Sequence, residues 1–158
     1  MRKQQKELLQ WGVFLLCYAF FFGDKPLHID EVNFWAMTQG DFWTPHLIQI
    51  NWEGTEQSAF DVLSNPPGLP WYLWLFRDAS VPQLRLLLLP WMALALYGVY
   101  SFAEQWQGKG REAAILFTVT PFFWVSGNAL LPDIILVALI SMGMSELYKE
   151  KRIALGAF

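Results

Sequence analysis

The feature that most constrains this chain is a series of long apolar runs. They cover residues 8–22, 86–103, 113–131 and 134–148, and only the last contains a charged residue, Glu146. A helix needs about 20 mostly apolar residues to cross a hydrocarbon core of about 30 Å. With 54% hydrophobic and 17% aromatic residues, the chain carries more large apolar side chains than a soluble domain of 158 residues buries. The sequence therefore predicts an all-α membrane protein with four transmembrane helices.

Basic residues lie in three clusters: before the first apolar run, between the second and third, and after the fourth. The clusters are Arg2, Lys3 and Lys6, then Lys109 and Arg111, then Lys149, Lys151 and Arg152. Positive charges next to transmembrane helices stay on the cytoplasmic side. The first run lacks the small residues of a cleavage site and is interpreted as an uncleaved signal anchor. We therefore expect a protein of the bacterial inner membrane with both termini in the cytoplasm.

The long segment 24–81 is acidic, which places it on the opposite, periplasmic side of the membrane. Within it we expect short helices over residues 30–39 and 57–63, whereas residues 41–55 show no clean period. Residues 69–76 are apolar, but eight residues of helix reach only about 12 Å. They are interpreted as an interfacial helix, anchored by Trp71, Tyr72 and Trp74. If this helix crossed the membrane instead, every later loop would change sides.

Charge and cysteine content exclude other classes. A net charge of −3 with scattered basic residues argues against nucleic-acid binding. Cys17 is the single cysteine, so no internal disulfide forms. His28 and His46 lie in the acidic segment without the spacing of metal ligands, so no metal site is predicted. The cofactor is left open, with a divalent cation as the one candidate.

Two acidic positions stand next to predicted membrane helices. Asp30 and Glu31 follow the first run, and Asp133 follows Pro132 at the start of the fourth. Carboxylates beside a membrane are costly, which favours a function, while helix capping by Asp30 or Asp133 is the simpler alternative. Neighbours on a helix lie about 100° apart, so one carboxylate of the pair would face a site while the other faces protein or solvent. The predicted topology puts all three acids and the turn at 65–67 at one outer surface.

The order of these features resembles the N-terminal part of the membrane glycosyltransferases with the GT-C fold. It comprises a basic N-terminus, one span, an acidic pair on a short helix, a Pro-Pro turn with aromatics, Arg85 opening a span, a Gly-basic turn, and Asp133 after a further span. Within that group, the chain is similar to the protein O-mannosyltransferase-like enzymes of glycosyltransferase family 39 and to the lipid A aminoarabinose transferases. The resemblance covers nearly the whole chain, although each motif is short.

The resemblance implies transfer of a sugar from a polyprenyl-phosphate carrier to a protein, lipid or glycan acceptor at the outer face of the membrane. It assigns Asp30 as general base with Glu31 as its neighbour, and Asp133 as the acid of the second outer loop, which shapes the active site or a cation site. A leaving phosphate needs a cation or dipoles. Family members place His or Lys before the Pro-Pro turn, where this chain has Asn65, so Arg85 is the remaining candidate for the phosphate.

Two of these assignments have alternatives. Arg85 would equally extend to lipid headgroups, as interfacial arginines do. Trp43 would stack on a sugar ring or anchor the chain at the membrane interface. Because family members continue through many more spans, residues 1–158 are expected to form a single membrane domain that is the N-terminal portion of a larger enzyme. A non-catalytic scaffold or assembly subunit, or an inactive truncated relict, is the other hypothesis, and activity of the 158-residue chain alone is left open.

Overall fold

The computed structural model describes residues 3–52, 54–63 and 67–154 of the chain. These residues are mostly helical, which confirms the helical class, with one small β-hairpin in addition. The helices are α1 (Lys3–Phe22), α2 (Ile29–Gln39), α3 (Ala59–Val62), α4 (Gly68–Trp74), α5 (Val81–Leu86), α6 (Leu89–Gln107), α7 (Gly110–Thr118), α8 (Pro121–Ser126) and α9 (Asp133–Ala154). The strands are β1 (Gln49–Trp52) and β2 (Thr55–Ser58), preceded by a 3-10 turn at Pro45–Leu47.

The second apolar run forms the best candidate for a membrane crossing. Helices α5 and α6 follow each other closely, and Val81–Gln107 is long and apolar enough to cross a membrane by length and composition. It is the one such segment in the part of the chain that the structure describes. The apolar part of α1, Leu9–Phe22, is shorter. The described residues thus contain one segment with the length and composition of a membrane span, and the arrangement of four spans stays a prediction.

The third apolar run was expected to form a span over 113–131 that is interrupted near its far end by Pro121 and by Gly127 and Asn128. It forms α7 and α8 with a break between them, followed by irregular chain up to α9. Pro121 has no N–H for a continuing helix, and Thr120 caps α8 by accepting the amide of Phe123 at 3.3 Å. The hydroxyls of Thr118 and Thr120 donate to carbonyls three residues back, at 2.8 and 2.7 Å. Local hydrogen bonds therefore end α7 where hydropathy alone predicts continuation.

Helices α6 and α9 pack closely against each other. A Cβ atom on Gly98 would lie 2.2 Å from Oγ of Ser141, so only a glycine allows this approach. One turn further along, Ser101 and Ser145 share a hydrogen bond of 2.8 Å, and Gln105 donates to Ser145 at 2.7 Å. Small residues and polar contacts of this kind are typical of helix packing in membranes.

The segment between α1 and α5 folds onto the start of α6. Helices α2 and α4 coincide with the expected helices over 30–39 and 69–76, but the helix expected over 57–63 is reduced to α3. The hairpin was not predicted, and its turn contains Gly54 with a φ of 85°. A buried apolar core joins α2, α4 and the hairpin to α5 and to the chain before α9. It consists of Phe34, Met37, Ile50, Ala59, Leu69, Leu73, Leu84, Leu88 and Leu130.

The three aromatic residues of α4 direct their polar groups inwards, to backbone carbonyls. Trp71 donates to Phe42 at 2.8 Å, Trp74 donates to Gly40 at 3.1 Å, and Tyr72 donates to Leu87 at 2.8 Å. Their N–H and O–H groups are therefore used to hold the chain after α2 and the start of α6. The expected anchoring of this helix at the membrane interface stays a prediction.

Candidate functional site

The centre of the candidate site is a buried ion pair between Glu31 and Arg85. Helix α2 begins with a capping box in which His28 is the N-cap and Glu31 the third helical residue. The Glu31 carboxylate accepts the His28 amide at 2.7 Å, the Leu130 amide at 2.8 Å, and Nη2 of Arg85 at 3.1 and 3.2 Å. The exposed fractions of the two side chains are 0% for Glu31 and 1% for Arg85. A buried pair of this kind is stable only when its remaining hydrogen-bonding groups are satisfied, as they are here.

Each nitrogen of the Arg85 guanidinium donates a hydrogen bond to an oxygen of the protein. Nε and Nη2 donate to Glu31, Nη1 donates to the carbonyls of Gly23 and Lys25, and Nη2 also lies 3.3 Å from the carbonyl of Pro26. The guanidinium therefore holds the connection between α1 and α2 in place. Both expectations for Arg85, contact with a phosphate and extension to lipid headgroups, require an accessible guanidinium. The geometry gives Arg85 a structural role instead.

Asp30 is exposed, whereas its neighbour Glu31 is buried. It is the second residue of α2 and not its N-cap, which is His28. The Asp30 side chain is 44% exposed, and Oδ2 lies 3.4 Å from Nδ1 of His28. Of the two adjacent carboxylates, Glu31 is therefore buried inside the protein and Asp30 is accessible to a ligand.

The chain before α9 lies against this centre. Asn128 donates to the carbonyl of Phe22 at 3.2 Å, and the Tyr18 hydroxyl lies 3.4 Å from Oδ1 of Asn128. Together with the hydrogen bond from Leu130 to Glu31, these contacts bring residues 128–130 next to the end of α1 and the start of α2.

Asp133 opens α9 close to this junction. The carbonyl of Pro132 accepts the amide of Leu136 at 2.9 Å, so Pro132 rather than Asp133 occupies the capping position. Asp133 is partly buried. Among the residues that the structure describes, its side chain forms no ion pair within 4.0 Å, so Asp133 is not part of the Glu31 network.

Trp43 lies away from Asp30. It is 78% exposed and packs its ring edge-on against Phe42, with ring centroids 5.1 Å apart. It follows the C-terminal end of α2 while Asp30 lies at the N-terminal end, and the helix between them is about 14 Å long. The structure does not bring the two residues together.

The remaining expected residues contribute no ligand set. Asn65 lies outside the described residues. His46 packs against the ring of Phe60, with ring centroids 5.8 Å apart. Across residues 3–52, 54–63 and 67–154, no group of three or more His, Cys, Asp or Glu side chains is placed to hold a metal ion.

Lys25 is a cation of this region to which the sequence analysis gave no role. Its ammonium donates to the carbonyl of Val125 at 3.0 Å, near the end of α8. Burial lowers the pKa of Lys25; the attraction of Glu31 opposes that effect, and the repulsion of Arg85 adds to it. Lys25 is the first basic residue after α1, and this position next to the first apolar run is the only signal in the sequence.

His28 was also missed as a partner of the acidic pair. The signal was present, since His28 precedes Glu31 by three residues, the spacing of a capping box with His in place of Ser or Thr.

Compared with known proteins, the chain matches no family model, no curated protein and no solved structure.

Proposed function

We propose that this chain is a membrane glycosyltransferase of the GT-C type. It would move a sugar from a polyprenyl-phosphate carrier to an acceptor at the outer face of the membrane. One observation carries the proposal: Asp30 is an accessible carboxylate beside a buried ion pair. That pair joins the end of α1, the start of α2, α5 and the chain before α9.

This arrangement suits a general base. Efficient proton transfer needs a carboxylate that is open to the acceptor while its backbone is held rigidly. In the proposed reaction, Asp30 takes the proton of the acceptor hydroxyl as the acceptor oxygen attacks the anomeric carbon. The bond from that carbon to the phosphate oxygen breaks, and the lipid phosphate leaves with the electron pair. The phosphate is already charged, so a nearby cation or dipole stabilises it better than an added proton.

The proposed topology has four spans, with both termini in the cytoplasm and residues 24–81 in the periplasm of a bacterial inner membrane. Three observations support it. The segment Val81–Gln107 is long enough to cross, the basic clusters alternate with the acidic segment, and the Glu31–Leu130 hydrogen bond brings the starts of α2 and α9 together. The third crossing would contain the break before Pro121, which neighbouring helices and threonine hydroxyls make tolerable.

The decisive experiment compares Asp30→Asn with Asp61→Asn in the membrane-inserted chain supplied with a polyprenyl-phosphate sugar. Asp61 is an exposed carboxylate on α3 in the same outer segment, so it matches the change in charge outside the site. Loss of a general base is expected to lower transfer by about 100-fold or more. Asp61→Asn is expected to keep the wild-type rate. Full transfer by Asp30→Asn, or no transfer by the wild-type chain, would contradict the proposal.

A second candidate is a non-catalytic assembly subunit. It is favoured by large apolar side chains that remain exposed in the outer segment: Trp43, Leu47, Phe60 and Leu75. Such a surface is typical of protein contacts when it is contiguous. Under this function, neutral substitutions of Asp30 and Asp133 would change complex formation in native gels and leave glycans unaltered.

A further inference from the structure

The Nδ1 atom of His28 has two neighbours on Asp30 at the same distance. It lies 3.4 Å from the backbone N of Asp30 and 3.4 Å from the carboxylate oxygen Oδ2. The first is a donor and the second is an acceptor. Both side chains are accessible, with exposed fractions of 60% for His28 and 44% for Asp30.

A single imidazole nitrogen cannot satisfy both neighbours at once, because it carries either a lone pair or a proton. In the neutral ring with a lone pair on Nδ1, the atom accepts the Asp30 amide and caps α2. In the protonated ring, Nδ1 has a hydrogen that the amide repels and the carboxylate accepts. The cap and the ion pair therefore exclude each other.

We propose that His28 is a positioning residue for Asp30. When the His28 ring is protonated it pairs with the Asp30 carboxylate, and when the ring is neutral it leaves that carboxylate free. This inference rests on the proposed role of Asp30 as general base. In the neutral ring the Nδ1 lone pair accepts the Asp30 amide, which leaves the carboxylate free to accept the proton of the sugar acceptor. The proton that changes the state comes from solvent, and no covalent bond is made or broken.

The other charged groups around His28 do not compete for its ring. Glu31 accepts the backbone amide of His28 and is neutralised by Arg85 of α5. Lys25 directs its ammonium to α8. The chain packed against this region from residue 128 to residue 132 is uncharged, and Asp133 begins α9 beyond it. Within the described ranges, Asp30 is the carboxylate that lies at ion-pair distance from the His28 ring.

The first test is the pH dependence of transfer in His28→Asn. Asparagine is a strong N-cap and does not titrate, so this variant keeps the cap and removes the switch. Histidine changes charge between about pH 5 and 8. We expect the acid limb of the rate profile to lie at lower pH in His28→Asn than in the wild type. An acid limb at the same pH in both proteins would overturn the inference.

The second test does not need activity. In wild-type chain in detergent, the NMR signal of the Asp30 amide is expected to move as the pH falls from 8 to 5, because this amide loses its acceptor. The same amide in His28→Asn is expected to stay in place. A stationary Asp30 signal in the wild type would refute the switch even if transfer is observed. A moving signal in a chain that transfers no sugar would refute the proposed function and leave the switch intact.

Discussion

At the scale of single residues, the site depends on two adjacent carboxylates with different surroundings. Helical geometry already indicates from the sequence that Asp30 and Glu31 diverge, since neighbours on a helix lie about 100° apart. The sequence does not indicate which one is buried. That choice is made by Arg85 and by the amide of Leu130, which lie 54 and 99 residues further along the chain. A single sequence carries no signal for such distant contacts.

Removal of the Glu31 charge is expected to destabilise the protein strongly. In Glu31→Gln, Arg85 stays buried without a counter-charge, which typically costs about 3–5 kcal/mol of the free energy of unfolding. The matched control is Glu146→Gln on α9, whose ion pair with Lys149 is more than half exposed on both sides. Exposed pairs contribute about 1 kcal/mol or less. Unfolding in SDS, followed by tryptophan fluorescence, measures both, and equal effects would contradict the assigned role of Glu31.

Lys25 is expected to make the free energy of unfolding increase as the pH rises. Burial lowers its pKa in the folded protein below the ordinary value of 10.5. The unfolded chain therefore binds the proton more tightly, and the charged ammonium reduces stability at neutral pH. As the pH rises through the lowered pKa towards 10.5, this cost disappears.

The measurement is the free energy of unfolding of the wild type and of Lys25→Gln between pH 7 and pH 10. We expect the wild type to gain stability relative to the variant over this interval. A difference that stays constant, or that falls with pH, would show that burial does not affect this ammonium.

At the scale of elements, helices with a clear pattern were predictable and the irregular parts were not. Helices α2 and α4 follow from short apolar segments with Gly or Pro at their ends. The break between α7 and α8 follows from threonine hydroxyls that bind the backbone, which hydropathy does not register. The hairpin between β1 and β2 has no alternating pattern, and its turn contains Gly54 in a left-handed conformation. The elements that the apolar pattern did not predict are therefore determined by local hydrogen bonds.

The packing of α6 against α9 predicts opposite outcomes for two glycines. In Gly98→Ala, the new Cβ would lie 2.2 Å from Oγ of Ser141 and 2.9 Å from the backbone N of Met142, so the helices must separate. Overpacking of this kind costs about 1–3 kcal/mol. Gly143 on α9 has no atom within 4 Å of the same position, so Gly143→Ala is expected to be neutral or stabilising. SDS unfolding measures the pair, and equal effects would contradict the close contact of α6 and α9.

At the scale of the whole molecule, the proposed topology assigns opposite sides of the membrane to two exposed positions. Glu56 lies on β2 and Lys109 lies in the turn between α6 and α7. Single cysteines at these positions, in a background without the exposed Cys17, are to be labelled in intact cells with an impermeant maleimide. We expect the label at position 56 and not at position 109. The reverse pattern would invert every loop of the proposed arrangement.

The buried ion pair also has a consequence for biosynthesis. Glu31 leaves the ribosome 54 residues before Arg85 and 99 residues before Leu130. At about 5–20 residues per second, the second interval is roughly 5–20 s. Arg85, the counter-ion of Glu31, is missing during the shorter first interval, and the newly made N-terminal region has to remain hydrated. Its final conformation is therefore adopted only after most of the chain has been translated, which leaves a window for chaperones or the insertion machinery to act on it.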